Sequence, residues 1–188
     1  MGSLTTIFDK KTVLTEMNKI FLLIFIAFSL MGCKTNLNET QKDIILETTS
    51  QTEFPKPLGA VSDFDKVLTN EQINELSKII TDYESKTTNQ IAIVSISDDL
   101  NKNNFQQYAL DLSNRWGIGT AEKNNGLTIV FSKSLKQIRI CTGIGTEKIL
   151  TDKICETVLT EKILPEFRNG DYYLGLKNGI TEFIKWWK

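Results

Sequence analysis

Ile91-Ala92-Ile93-Val94-Ser95-Ile96 is apolar on both faces of an extended chain, and this segment constrains the fold more than any other. A strand with one wet side alternates polar and apolar residues. One that is apolar throughout has to be covered on both sides, which makes it a central strand. The neighbouring sequence supplies covers. Thr69-Asn70-Glu71-Gln72 has the pattern of a capping box, with Thr69 as N-cap and Gln72 reaching back. Ile73, Leu76, Ile80 and Tyr83 follow at helical spacing to about residue 86, where Thr87-Thr88-Asn89 breaks the helix. A second helix, capped by Asn103 or Asn104, sets Phe105, Tyr108, Ala109, Leu112 and Trp116 on one face and ends at Gly117 and Gly119.

Residues 127–131 read as another strand, 132–136 as a turn and 137–141 as a strand that returns. Thr151 or Asp152 caps a third helix with Ile154, Cys155, Val158 and Leu159 inward, and Pro165 is expected to stop its continuation. A last helix over residues 172–187 carries Tyr173, Leu176, Ile180, Phe183, Ile184 and Trp187 on its face. The order α-β-α-β-β-α-α predicts an α/β fold, a three-layer α/β/α sandwich with a small mixed β-sheet. The second helix is a crossover, so 91–96 and 127–131 are expected to be parallel, and the hairpin brings 137–141 back antiparallel.

The chain opens differently. Met17-Asn18-Lys19 precedes an apolar run over residues 20–30, too short to span a bilayer but suited to the core of an export signal. Leu30-Met31-Gly32-Cys33 resembles a bacterial lipobox, whose cysteine is lipidated. Residues 1–33 are therefore expected to be a signal peptide, translated from Met17, with Cys33 as the lipid anchor. A buried helix with a chance Gly-Cys pair, or a cleaved signal without lipid, are the alternatives. Residues 34–57 are polar, close with Phe54-Pro55-Lys56-Pro57 and read as a flexible tether, leaving 58–188 as the folded domain. The expected location is the cell envelope, outside the cytoplasm, as a monomer. A formal net charge of −1 gives no electrostatic case for nucleic acid.

Histidine is absent from the chain. That excludes a Ser-His-Asp triad, an imidazole base and a histidine-based zinc site. A metal would need oxygen ligands or one of three cysteines, and oxygen ligands point to Ca²⁺, Mg²⁺ or Mn²⁺. The predicted connectivity gathers the end of the first helix, the end of the second, Asn124-Asn125 and residues 143–152 at one end of the sheet. Glu84, Asn124, Asn125, Glu147 and Asp152 are the oxygen-bearing side chains there, a loop-borne set suited to Ca²⁺ or Mg²⁺. Each has a plainer role: Asp152 as a helix cap, the asparagines as turn formers, the glutamates as solvated charges. Arg115, Lys123 and Lys148 are the candidates for holding a phosphate. Asp63-Phe64-Asp65-Lys66-Val67 matches the D-x-D-x-V nucleophile motif of haloacid-dehalogenase-like phosphatases, but that chemistry needs a buried strand ahead of the first Asp, and only Ala60-Val61 precede it. Cys141 and Cys155 face inward and are expected to be two buried thiols, with a disulfide as the alternative.

Trp116-Gly117-Ile118-Gly119, Asn124-Asn125-Gly126, Gly143-Ile144-Gly145, Leu150-Thr151-Asp152 and Gly170-Asp171-Tyr172-Tyr173 follow one another in order, after an opening Val61-Ser62-Asp63. The series resembles the TPM domain over about residues 58–185. The resemblance adds Asp63 and Asp171 to the candidate metal ligands, because each matches an acidic position of the family pattern, and notes an Asn at 124 where the family often has Asp. It implies either a metal-dependent phosphatase acting on phosphate monoesters, with Asp63, Glu84, Asn124 and Asp152 around the ion, or an accessory domain that assists an envelope protein complex.

Overall fold

The computed structural model describes residues 54–97 and 104–188. The expected signal peptide with Cys33, and the expected tether up to residue 53, lie outside the described residues. Among the described residues no helix is long and apolar enough to cross a membrane.

The domain is built on a four-stranded sheet in the order β1-β2-β3-β4. These strands are β1 (Val61–Asp63), β2 (Gln90–Ser95), β3 (Gly126–Ser132) and β4 (Gln137–Thr142). β1, β2 and β3 are parallel, with Ile91 opposite Leu127 and Ile93 opposite Ile129. β4 returns antiparallel, with Ile129 opposite Ile140. The mixed sheet, its central strand and both pairing directions read from the sequence are as expected. β1 is an addition. It has three residues and one apolar side chain, too short to show a period, and it becomes a strand by pairing with the open edge of β2.

The helices are α1 (Asn70–Thr87), α2 (Phe105–Trp116), the single turn α3 (Ile144–Glu147), α4 (Asp152–Val158), α5 (Leu164–Arg168) and α6 (Tyr172–Trp186). Alternation along the strands sorts them into layers. Ile91, Ile93, Leu127, Ile129 and Phe131 point to one side, where they bury Leu76 and Ile80 of α1, Val158 of α4 and Leu176, Ile180 and Phe183 of α6. Val94 and Val130 point to the other and meet Phe105, Ala109 and Leu112 of α2 alone. At roughly 1.5–3 kcal/mol for each fully buried side chain of this size, both cores contribute substantially. The crossovers through α1 and α2 step the same way across the sheet yet lie on opposite faces. They therefore have opposite hands, and one departs from the strong right-handed preference.

Helix α1 opens with both halves of its capping box: Thr69 Oγ1 accepts from Gln72 N, and Gln72 Oε1 accepts from Thr69 N. Glu75 on α1 takes Lys177 Nζ at 2.5 Å and the Tyr173 hydroxyl, tying α1 to α6 across the surface. Both partners hold the Glu75 carboxyl below its ordinary value, Lys177 foremost.

Pro165 does not stop the third helix. The chain passes from α4 through a π turn (Leu159–Ile163) into α5, with Pro165 in the first turn of α5. Proline removes a donor and its ring crowds the carbonyl four residues back; the wider turn, in which Leu164 N–H bonds Leu159 O, absorbs both. Helix α6 packs on this turn through Gly179, where a Cβ would lie 2.6 Å from Ile163 Cγ1.

The last residues of the sequence-predicted tether are docked. Phe54 packs on Tyr108 with ring centroids 5.1 Å apart, and Pro55 O accepts from Trp116 Nε1 at 2.8 Å. Trp116 also meets Phe64 edge-on, so it anchors the α2 face.

Candidate functional site

The start of β2 at Gln90, the start of β3 at Gly126 and the end of β4 at Thr142 lie together, and three loops converge there. Thr88 ends α1 in the left-handed region, with φ 67°. Residues 117–125 descend from α2, with Asn124 also left-handed at φ 47°. Residues 143–151 leave β4, making three connections in all at this end. The loops touch at backbone distance. A Cβ on Gly126 would sit 1.8 Å from Ile118 O, and one on Gly145 would sit 1.9 Å from Lys123 O. Glycine is the residue that permits this contact. Gly145 N donates to Asn124 O at 3.1 Å, and Gly126 O accepts from both Gly143 N and Thr146 Oγ1 at 2.9 Å.

Asn125 is the clasp of this end. It is buried, and its Oδ1 accepts from Thr120 N at 2.9 Å and Thr120 Oγ1 at 3.2 Å. Its Nδ2 donates to Thr88 O at 2.8 Å and Asn89 Oδ1 at 3.1 Å. Asn89 Nδ2 continues to Tyr83 OH at 2.8 Å, and the Tyr83 hydroxyl donates to Trp187 O. The Asn125 amide is therefore engaged through both donors and its oxygen by protein partners. Glu84 is held similarly: its Oε1 accepts from Gln90 Nε2 at 2.8 Å, while Gln90 Oε1 accepts from Gly119 N at 2.7 Å. Lys123 Nζ donates to Thr88 Oγ1 at 2.8 Å.

Between α2 and this loop end lies a cleft of about 500 Å³. Ser113, Asn114, Asn124, Thr128, Cys141 and Thr142 give it side-chain polarity, and residues 117–121 and 143 give it backbone. Among the described residues no charged side chain lines it. The Ser113 hydroxyl is buried without a hydrogen-bond partner among the described residues. The carboxylates stand outside the lining. Glu147 Oε1 accepts from Thr142 Oγ1 at 3.3 Å, which brings it to the cleft's edge. Thr151 is the N-cap of α4 and its side chain makes no capping bond, while Asp152 occupies the first turn. Glu147 and Asp152 both act on Cys155: burial, then Asp152 and Glu147, push its thiol up to about 11.

Asp63 and Asp171 belong elsewhere. Asp63 ends β1 beside Ser95, at the opposite end of the sheet, about 20 Å away by the length of β3. Its Oδ1 accepts from Val67 N at 3.1 Å and its Oδ2 from Leu68 N at 2.8 Å, with the Ser95 hydroxyl donating as well. A short strand does precede it, contrary to expectation. Both oxygens are committed to the turn that leads into α1, which is a structural duty and not that of a nucleophile. Asp171 caps α6 by accepting from Leu174 N at 2.9 Å, near Phe131 at the far end of β3. The six expected ligands therefore do not surround one ion. Asn124, Asn125, Glu84 and Asp152 share the loop end, while Asp63 and Asp171 do not.

The donor set can be weighed against the two ions. A Ca²⁺ cage takes six to eight oxygens with several carboxylates. Among the described residues no three acidic or thiol side chains converge to build one. A sparse set such as Asn124 in the cleft with Glu147 at its edge is closer to what Mg²⁺ accepts, since that ion keeps several waters and takes one or two carboxylates plus a ligand's oxygens.

Cys141 and Cys155 are free thiols on opposite faces of the sheet. Cys141 Sγ reaches Ala109 O of α2, and Cys155 Sγ reaches Leu150 O on the other side. Asn89, Gln90, Ser113, Thr120 and Thr128 complete the loop end and escaped the sequence reading. Gln90 heads an apolar strand and Asn89 closes a helix-breaking triplet, the one local signal that pointed to them.

A covered mixed sheet with interlocked loops beside a polar cleft defines an α/β/α sandwich domain with a polar hollow at one end of its strands. The chain belongs to the TPM-domain family, whose signature matches residues 61–185. It is similar to the N-terminal domain of a P. gingivalis protein solved by NMR, at 26% identity and TM-score 0.59, over 67% of this chain and 80% of that one. The BA42 protein of Bizionia argentinensis shares the fold at 20% identity and TM-score 0.55, over 65% of this chain and 82% of that one. The N-terminal domain of a Corynebacterium glutamicum protein does so at 16% identity and TM-score 0.51, over 74% and 87%. No curated protein sequence matches the chain.

Proposed function

We propose that this TPM domain is a binding module of the cell envelope, tethered outside the cytoplasm by lipid on Cys33, that takes a divalent cation and a polar ligand at its loop end while assisting an envelope protein complex. The observation that carries this reading is the cleft of about 500 Å³ with Asn124 in its lining and Glu147 at its edge, uncharged among its described lining residues. Its walls are backbone, hydroxyl and amide groups, held in place by the Asn125 clasp and so organised before any ligand arrives. A cation at the rim would attract anionic ligand groups that the uncharged lining cannot hold alone. Mg²⁺ is the ion that the sparse donor set suits, with Ca²⁺ the alternative.

Hydrolysis of phosphate monoesters is the second reading, and family membership supports it. It ranks below binding because, among the described residues, the cleft lining offers neither a carboxylate, lysine nor arginine as base or phosphate holder. Titration of the full chain in detergent with Mg²⁺ and with Ca²⁺, followed by amide NMR, tests the first reading. Saturable shifts at Asn124 and residues 143–152 are expected, tighter for Mg²⁺. Non-saturating shifts on scattered surface carboxylates would refute it. Saturable turnover of a phosphate monoester, lost in Asp152→Ala with the fold intact, would move hydrolysis into first place.

A further inference from the structure

At the far end of the sheet, where β3 turns into β4, a second hollow of about 420 Å³ opens between the hairpin and α5. Its chemistry is the reverse of the loop-end cleft. Lys136 and Arg168 stand on its lining, Lys133 Nζ lies 5.9 Å from the centre of the Tyr172 ring, and among the described residues no acidic side chain lines it. Lys133, Lys136 and Arg168 are all exposed, and none has an ion-pair partner among the described residues. In a chain of net charge −1, three unneutralised cations around one hollow form a local positive site.

The wall is aromatic and fixed. Tyr172 stacks on buried Phe131 with rings 18° from parallel and centroids 5.9 Å apart, and Phe167 meets Tyr172 at 4.7 Å. Ile138 and Leu164 add apolar surface. A backbone feature points the same way. Lys136 sits in the left-handed region at φ 53°, where glycine would be at ease and lysine is strained. Lys136 N–H bonds Lys133 O at 3.3 Å in the β3–β4 turn, and this turn fixes the lysine at the hollow's mouth.

We propose that this hollow binds a small organic anion: a carboxylate or phosphate carried on a flat, apolar ring. The anion would take Arg168 and Lys136, with bidentate geometry available from the guanidinium, and the ring would lie against Tyr172 and Phe167. The inference does not depend on the loop-end cleft, which lies at the other end of β3.

The test is amide NMR of the full chain in detergent, titrated separately with phenyl phosphate, benzoate and inorganic phosphate. Saturable shifts over residues 132–138 and 164–172 are expected with a ring-bearing anion, at least tenfold tighter than with inorganic phosphate; the tighter of the two ring-bearing probes identifies the anion. Arg168→Ala should weaken binding about tenfold. Lys136→Gly should weaken it several-fold while the melting temperature holds or rises, because that change removes charge and relieves the backbone together. Ring-bearing anions binding no tighter than inorganic phosphate would overturn the proposal. So would affinities unchanged in both variants.

Discussion

Replacing Asn125 by Ala separates a structural clasp from a metal ligand. The change deletes four hydrogen bonds and leaves Thr120 N–H and Thr88 C=O without partners in a half-buried setting. An orphaned buried polar group costs about 1–3 kcal/mol, and the lower half of that range applies to two groups near the surface, so the loss is ~3 kcal/mol. A domain of about 130 residues loses roughly 3–4 °C per kcal/mol, which places the fall in melting temperature near 10 °C. The assay is thermal unfolding by circular dichroism with chelator present. Asn125→Asp is the informative companion. It keeps an acceptor for Thr120 but removes both donors and sets a carboxylate against Thr88 O and Asn89 Oδ1, so it should melt at least as low as the Ala variant. If Asn125 chiefly served an ion, Asp would tighten cation binding and leave the metal-free melting point near that of the parent. A metal-free shift below about 3 °C in both variants would refute the clasp.

Two further outcomes follow from the same geometry. Asp63→Ala should lower stability by ~2 kcal/mol, read from urea unfolding, since Val67 N, Leu68 N and the Ser95 hydroxyl lose their acceptor; cation affinity at the loop end, about 20 Å away, should be unchanged. Cys155 should resist iodoacetamide in the folded protein until pH nears about 11, as followed by peptide mass mapping. Half-maximal alkylation near pH 8.5, an ordinary thiol's value, would contradict its burial beside Asp152 and Glu147. The sign for stability is set by proton binding. The unfolded thiol ionises first, so this contribution is complete below about pH 9 and is lost between about 9 and 11.

Periodicity alone located β2, β3, β4 and the long helices. A strand apolar on both sides, or a helix with Leu76, Ile80 and Tyr83 in register, has one economical way to bury itself. The capping box at Thr69 was equally local, because its four bonding groups lie within four residues. The motif series identified the family, and connectivity brought Asn124, Asn125, Glu84 and Asp152 to one end without coordinates.

What escaped was decided by partners far along the chain. β1 is a strand because β2 has an open edge, which three residues cannot announce. Pro165 sits inside a continuous helical path because a π turn makes room for it, and that turn is shaped by Gly175 and Gly179 of α6 pressing on it. Asp63 and Asp171 were expected from the family resemblance, yet strand direction carries them to the far end of the sheet, where backbone N–H groups take both oxygens of Asp63 and one of Asp171. Asn125 looked like a turn residue or a ligand; Thr88 and Asn89, 37 and 36 residues away, made it a clasp. Local pattern determined which segments are helix or strand, because the hydrophobic face is written into their spacing. Which oxygens are spent and which remain available depends on contacts between residues remote in sequence, and tertiary structure alone assigns those.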